Sequence, residues 1–207
     1  TDDGSIRNEA SKIKGQSTYT ESKILAEKIV LKARRGNDGK PFGTVLRLAA
    51  VYGPNMKGNY TRVIKGVSKG WFYPIGKCIN RRTLISDLDV AKAALITAKS
   101  PKSISEVYNV TDGHIYYLKE IYDAIWRGLG KKPPKVHIPF FIVKFGVIIF
   151  QLFYGIIGKK PPVSTTMLNK MREDRAVSGD KLINDLDFIP ETTLKEGWKR
   201  AVKGIVK

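Results

Sequence analysis

Cysteine occurs once in this 207-residue chain, at Cys78, which excludes an internal disulfide and suits a reducing compartment. Histidine occurs twice, at His114 and His137, too few to assemble a metal-ligand cluster by sequence spacing. There is no internal repeat and no low-complexity segment. Acidic residues are scarce: 19 Asp and Glu stand against 37 Lys and Arg, giving a net charge of +18. Such a balance generically points to nucleic acid. However, the lysines are scattered, and the chain has no long basic tail, no zinc-finger spacing and no RNP-type aromatic signature. Nucleic acid is therefore excluded as the expected partner. A solvated basic surface, a diphosphate ligand or an anionic membrane surface remains. At 42% apolar, the chain can build one globular core.

The most informative residues are Tyr19 and Lys23, in the run Ser17-Thr-Tyr-Thr-Glu-Ser-Lys-Ile-Leu-Ala-Glu27. Four residues apart on a helix, they project onto one face. An ammonium beside a phenol favours the phenolate, which turns a weak acid into a usable general acid/base. Taken alone, such a pair is also what a solvated helix face carries by chance. Its setting is more specific, because the helix precedes a strand-like Gly43-Thr-Val-Leu-Arg-Leu-Ala-Ala50 that runs into Val51-Tyr-Gly-Pro54.

With these residues the chain resembles the extended short-chain dehydrogenases/reductases, which include the nucleotide-sugar epimerases and dehydratases. The landmarks follow in the family's order: Y-x-x-x-K; L-R-x-x-x-V-Y-G-P from Leu46 to Pro54; Arg81-Arg-Thr-Leu-Ile-Ser-Asp-Leu-Asp-Val-Ala91; Val107-Tyr-Asn-Val-Thr-Asp-Gly113; and Leu-Asp-Phe-Ile-Pro-Glu-Thr-Thr-Leu-Lys-Glu-Gly197. Val51–Tyr60 and Gly76–Arg82 narrow the likeness to bacterial enzymes acting on UDP-N-acetylhexosamines in O-antigen and capsule synthesis. The resemblance implies an α/β fold: the C-terminal part of a Rossmann-like doubly wound sheet plus a mainly helical substrate-binding lobe. Residues 1–130 would belong to the NAD-binding part, interleaved with lobe segments at about 55–85, and 131–207 would form the rest of the lobe. It also implies NAD (or NADP) as cofactor, a UDP-sugar as substrate, a homodimer through a helix bundle that includes the Tyr19 helix, and a cytoplasmic location.

The family's Gly-rich turn, which seats the dinucleotide pyrophosphate on a helix N-terminus, is missing. Gly36-Asn-Asp-Gly39 is a polar helix-to-strand turn instead. The expectation is that the chain is the C-terminal portion of an enzyme, so it says nothing of targeting. The family's catalytic Ser/Thr is not identified either, since Ser5, Ser11, Ser17 and Thr18 fall in the loop and helix start. Where the motifs do match, the resemblance makes Tyr19 the acid/base and Lys23 the group that holds the nicotinamide ribose. It brings Leu48 and Ala49 to the nicotinamide, Asn59 to the diphosphate or uridine, and Arg82 to the diphosphate. Arg81 and Asn80 are neighbours with weaker claims. Arg47 and Asp89, the latter a helix cap in the family, are read as structural. Ala50 stands where many epimerases carry Asn, which leaves reductases and dehydrogenases on the same scaffold open.

Local signals predict a helix from a Ser17 or Thr18 cap with Glu21 as capping-box partner. A buried strand follows over 44–50, then helices over 59–69, 89–99 and 116–129, and strands over 83–85, 106–110 and 135–138. Residues 138–158 form an apolar run near the ~20 residues a membrane span needs. Lys144, Gln151 and Tyr154 share a polar side within it. The run reads as a lobe-packing helix, an interfacial helix on anionic lipid flanked by Lys131-Lys132 and Lys159-Lys160, or a span.

Overall fold

A computed structural model describes residues 5–13, 17–159, 161 and 163–206. The first helix, α1 (Thr18–Lys32), starts at Ser17, whose hydroxyl accepts the Thr20 amide at 3.2 Å. Thr20 occupies the position that a capping-box Glu would take, so Glu21 falls one residue beyond it. One stripe of α1 (Thr20, Ile24, Glu27, Leu31) is half-buried and no residue is fully buried. The expected strand divides into β1 (Val45–Leu48) and β2 (Ala50–Tyr52) because its two halves have different partners. β1 pairs in parallel with β5 (Val107–Val110), and β2 pairs in parallel with β4 (Leu84–Ser86). The strand is half-buried rather than buried, since β1 has a single hydrogen-bonded strand neighbour among the described residues.

Gly43 sets the distance between α1 and β1. A Cβ there would lie 2.2 Å from the Val30 carbonyl oxygen, so only glycine lets the helix close onto the strand. Arg47 completes the contact. Its Nε donates to Glu27 of α1 at 3.0 Å within a two-pronged ion pair, and its Nη1 donates to the Glu9 carbonyl at 3.1 Å.

The lobe core gathers α2 (Asn59–Ser68), α4 (Leu118–Gly128) and α8 (Leu194–Ile205). On α4 the buried residues Leu118, Ile121, Tyr122, Ile125 and Trp126 follow the spacing of one helix face. Trp198 of α8 is fully buried, stacked on Tyr52 at 4.8 Å with Tyr60 edge-on at 5.2 Å. A second core, of Ile85, Tyr108, Val110, Leu182 and Phe188, lies by the strands, between α3 (Asp87–Lys99) and α7 (Asp180–Leu186). Ser86, not Asp89, caps α3. Asp89, buried one turn in, accepts the Ser86 hydroxyl and the amides of Glu191 and Thr192, pinning the loop before α8.

A short antiparallel pair, β3 (Arg81–Arg82) with β6 (Tyr116–Tyr117), links the two regions. The strand expected at 135–138 reduces to a single bridge between Ile138 and Ile75. The apolar run becomes α5 (Phe140–Ile156), which packs against α6 (Thr165–Arg172) and has no buried residue. Gln151 and Tyr154 lie on its half-buried stripe and Lys144 is exposed beside it. No helix among the described residues is long and apolar enough to cross a membrane.

Candidate active site

Tyr19 stands in the first turn of α1, 71% exposed and off the half-buried stripe. Lys23 lies one turn on, its Nζ 5.7 Å from the centre of that ring. The helix packs on β1, at whose end Leu48 is exposed and Ala49 is fixed by its amide donating to the Val110 carbonyl at 3.0 Å. An open phenol, an ammonium over its ring and an exposed strand end suit the nicotinamide–ribose half of a dinucleotide. A turn for the pyrophosphate half is absent from the sequence.

Asn59, Arg81 and Arg82 belong to a second group. α2 opens at Gly58, whose φ of +108° favours glycine, and no side chain caps the helix. Its first amides therefore face outward beside exposed Asn59. Arg81 is held by Asp174: its amide donates to Oδ1 at 2.6 Å, Nε to Oδ2 at 2.8 Å, and Nη2 stands 2.7 Å from Oδ2. The Arg81 amide holds the Asp174 carboxyl below the usual carboxylate range against a smaller opposing effect of burial, and the guanidinium adds to the lowering.

Arg82 differs. Its guanidinium donates to three carbonyl oxygens, those of Glu173, Arg81 (3.3 Å) and Met171 (3.1 Å), and forms no ion pair among the described residues. Burial lowers its pKa, and Tyr60 of the first turn of α2 lies within electrostatic reach. A partly desolvated guanidinium bonded only to carbonyls retains its appetite for an anion.

A cavity of about 920 Å³ adjoins this group. Asn80, Cys78, Tyr122, His137, Phe140 and Arg172 are among its walls, and the Met171–Asp174 segment that receives both arginines closes one side. Of the expected site residues, Tyr19, Lys23, Leu48, Ala49, Asn59, Arg81 and Arg82 do not line it; only their neighbour Asn80 does. Burial pushes the Cys78 thiol up to about 11, which removes it as a nucleophile. Sequence reasoning missed Met171–Asp174 and His137. The one signal for the former was Glu173-Asp174, the first acids after Asp123.

An α/β fold with parallel strand pairs, a helix carrying Tyr and Lys beside a strand end, and a helical lobe place the chain in the Rossmann-type α/β class of fold. The sequence profile described as the NAD dependent epimerase/dehydratase family matches residues 2–111, and the chain belongs to that family. Among curated relatives, it is 23% identical over 185 residues to the N-acetyl-alpha-D-glucosaminyl-diphospho-ditrans,octacis-undecaprenol 4-epimerase of Escherichia coli O157:H7, covering 89% of this chain and 56% of the relative. It is 25% identical over 193 residues to the UDP-glucose 4-epimerase of Vibrio cholerae, covering 93% and 55%. The chain thus spans about half the length of these relatives. Its fold superposes on the UDP-glucuronic acid 4-epimerase of Bacillus cereus, solved with UDP-glucuronic acid and NAD, with a TM-score of 0.68 at 18% identity, covering 99% of this chain and 57% of that one.

Proposed function

We propose that the full-length protein catalyses NAD-dependent epimerisation at C4 of a UDP-sugar of the UDP-glucose or UDP-N-acetylglucosamine type, in bacterial surface polysaccharide synthesis, in the cytoplasm at the inner face of the membrane. The observation that carries the reading is the exposed Tyr19–Lys23 pair on a helix packed against the strand of the L-R-x-x-x-V-Y-G-P motif. NAD, when bound, accepts and returns a hydride. Tyr19 Oη takes the proton of the C4 hydroxyl and gives one back on the return step. Lys23 holds the ribose hydroxyls and keeps positive charge beside the phenol. Leu48 and Ala49 form the wall against the nicotinamide and exclude water there. Asn59 and the open N-terminus of α2 face the diphosphate or uridine, and Arg82 supplies a planar fork to the diphosphate. Arg81 serves this site at one remove, through its tie to Asp174. The residues of residues 131–207 together with 55–85 form the substrate lobe, and the enzyme pairs as a homodimer through α1. The 207-residue chain alone is expected to be inactive.

Ala50 in place of Asn keeps a one-way, NAD(P)H-consuming 4-keto-reduction of a UDP-6-deoxy-hexosamine as the alternative chemistry, and a non-catalytic substrate-binding remnant as the alternative to an enzyme. A second substrate reading has its own support. Ile138, Pro139 and Phe140 wall the cavity and lead directly into exposed, apolar α5. A sugar linked through its diphosphate to a polyprenol, as the Escherichia coli relative's name states for that enzyme, would find both a cavity with polar groups such as Asn80 and His137 and an apolar path. Product analysis by NMR of the full-length protein tests these readings. The substrates to offer are UDP-N-acetylglucosamine, its 4-keto-6-deoxy derivative and the polyprenyl-diphosphate-linked sugar. Epimer from the first supports the main reading, reduction of the second or turnover of the third alone replaces it, and no turnover of any leaves the binding remnant.

A further inference from the structure

The outward arc of α5 is apolar over its full length. Phe141, Phe145, Ile149, Leu152, Phe153 and Ile156 are all exposed, Ile156 by 85% and Phe141 by 72%. Single exposed hydrophobics are ordinary, but a contiguous arc of this kind marks a surface meant to be covered. Among the described residues, the chain covers only the opposite stripe of the helix. That stripe faces α6, with the Gln151 side chain accepting the Thr165 amide at 3.0 Å.

Charge selects the occupant. Between Asp123 and Glu173 the sequence has no acidic residue, yet it carries nine Lys and Arg. Lys132 and Lys135 precede the helix, Lys144 stands at the edge of its apolar arc, and Lys159 follows it, all exposed, while Lys131 donates to the Val67 and Ser68 carbonyls at the end of α2. A second copy on this face would set cations against cations, which disfavours self-pairing. An anionic bilayer offers hydrocarbon to the arc and phosphate to the lysines. At 17 residues α5 is about 26 Å long, short of the ~30 Å hydrocarbon core. Such a helix lies in the interface rather than crossing it, with Lys144 reaching back to the headgroups.

We infer that α5 docks this protein on an anionic lipid surface, its apolar arc in the acyl boundary and the lysines that flank it on the headgroups. The inference does not rest on the catalytic reading, because no residue of α1 or β3 enters it. In this position the cavity wall at Phe140 comes close to the plane of the membrane.

The test is flotation of the full-length protein with vesicles of phosphatidylcholine alone and of phosphatidylcholine mixed with phosphatidylglycerol. A paired measurement reads the tryptophan emission that an Ile149→Trp variant adds over the wild type, whose Trp71, Trp126 and Trp198 give the background to subtract. The expected result is binding to the anionic vesicles, weakened by salt and weaker still on phosphatidylcholine. Phe145→Glu/Leu152→Glu should lower it at least about tenfold with unchanged thermal unfolding. Each charge removed by Lys132→Gln or Lys135→Gln should lower it roughly fivefold. Emission of Ile149→Trp should shift to the blue only on adding anionic vesicles. No flotation of the wild-type protein would overturn the inference. So would emission that is already blue-shifted without lipid, since a second copy or another part of the protein would then cover the arc.

Discussion

Arg81 and Arg82 are adjacent in sequence and differ in what their guanidinium groups bond to. Arg81 is neutralised by Asp174, whereas Arg82 spends its donors on carbonyls and keeps its charge unpaired among the described residues. Arg82→Ala in the full-length enzyme should raise the Kd for UDP roughly ten- to hundredfold, as expected for a lost charge-assisted contact of about 1.5–3 kcal/mol. Arg82→Lys should also weaken binding, by losing the fork. Arg81→Ala should lower thermal stability and leave UDP affinity nearly unchanged. Calorimetry on both variants decides, and equal losses would mean that the wrong arginine carries the diphosphate. Two carboxylates make opposite predictions for pH. The Asp174 pKa is lowered in the fold, so its contribution is fully present above the unfolded value of about 3.9 and is lost as pH falls through the folded one. Asp112 is buried and its pKa is raised, chiefly by burial, against the lowering hydrogen bond from the His114 amide. Its contribution is present below that same unfolded value and is lost as pH rises toward the folded one. Denaturant titrations across pH should therefore show Asp174→Asn flattening the loss of stability on the acid side. Asp112→Asn should flatten the decline as pH rises above about 4.

Helices and strands here are placed by a few close contacts. Gly43 admits α1 to β1, and Gly43→Ala should destabilise by about 1–3 kcal/mol, because a backbone oxygen cannot step aside. Trp198 centres the lobe core, and Trp198→Ala should cost about 3–5 kcal/mol. Melting temperatures would show both losses, with the smaller at Gly43. The elements most legible in sequence were those with local signals. The Ser17 cap and the helical periodicities of α2 and α4 needed nothing distant to declare them, whereas α8 was not foreseen as a helix. The division of the 44–52 run into β1 and β2 was not legible, because it depends on which strand lies alongside, and that is decided far along the chain at Leu84 and Val107. Asp89 was expected to cap the helix because the resembled family has a cap there. Its actual partners, Glu191 and Thr192, are about a hundred residues away and leave no local trace. Tyr19 and Lys23 were legible because a four-residue spacing on a helix is itself the geometry. The Met171–Asp174 grip on the arginines was not, because it forms only when β3 meets the end of α6.

At the scale of the whole molecule, the chain carries an exposed Tyr19–Lys23 pair, an arginine bonded only to carbonyls and a cavity, in a family described as NAD dependent. With no Gly-rich turn to seat a pyrophosphate, the 207-residue chain by itself should show neither turnover nor tight NAD binding by calorimetry. The central claim is that Tyr19 moves the sugar proton. Its most direct test is turnover of a UDP-hexosamine by the full-length enzyme, wild type against Tyr19→Phe, with substrate affinity measured alongside. The account predicts a loss in kcat of roughly two to four orders of magnitude with affinity little changed. A Tyr19→Phe enzyme that keeps more than about a tenth of wild-type turnover would contradict it.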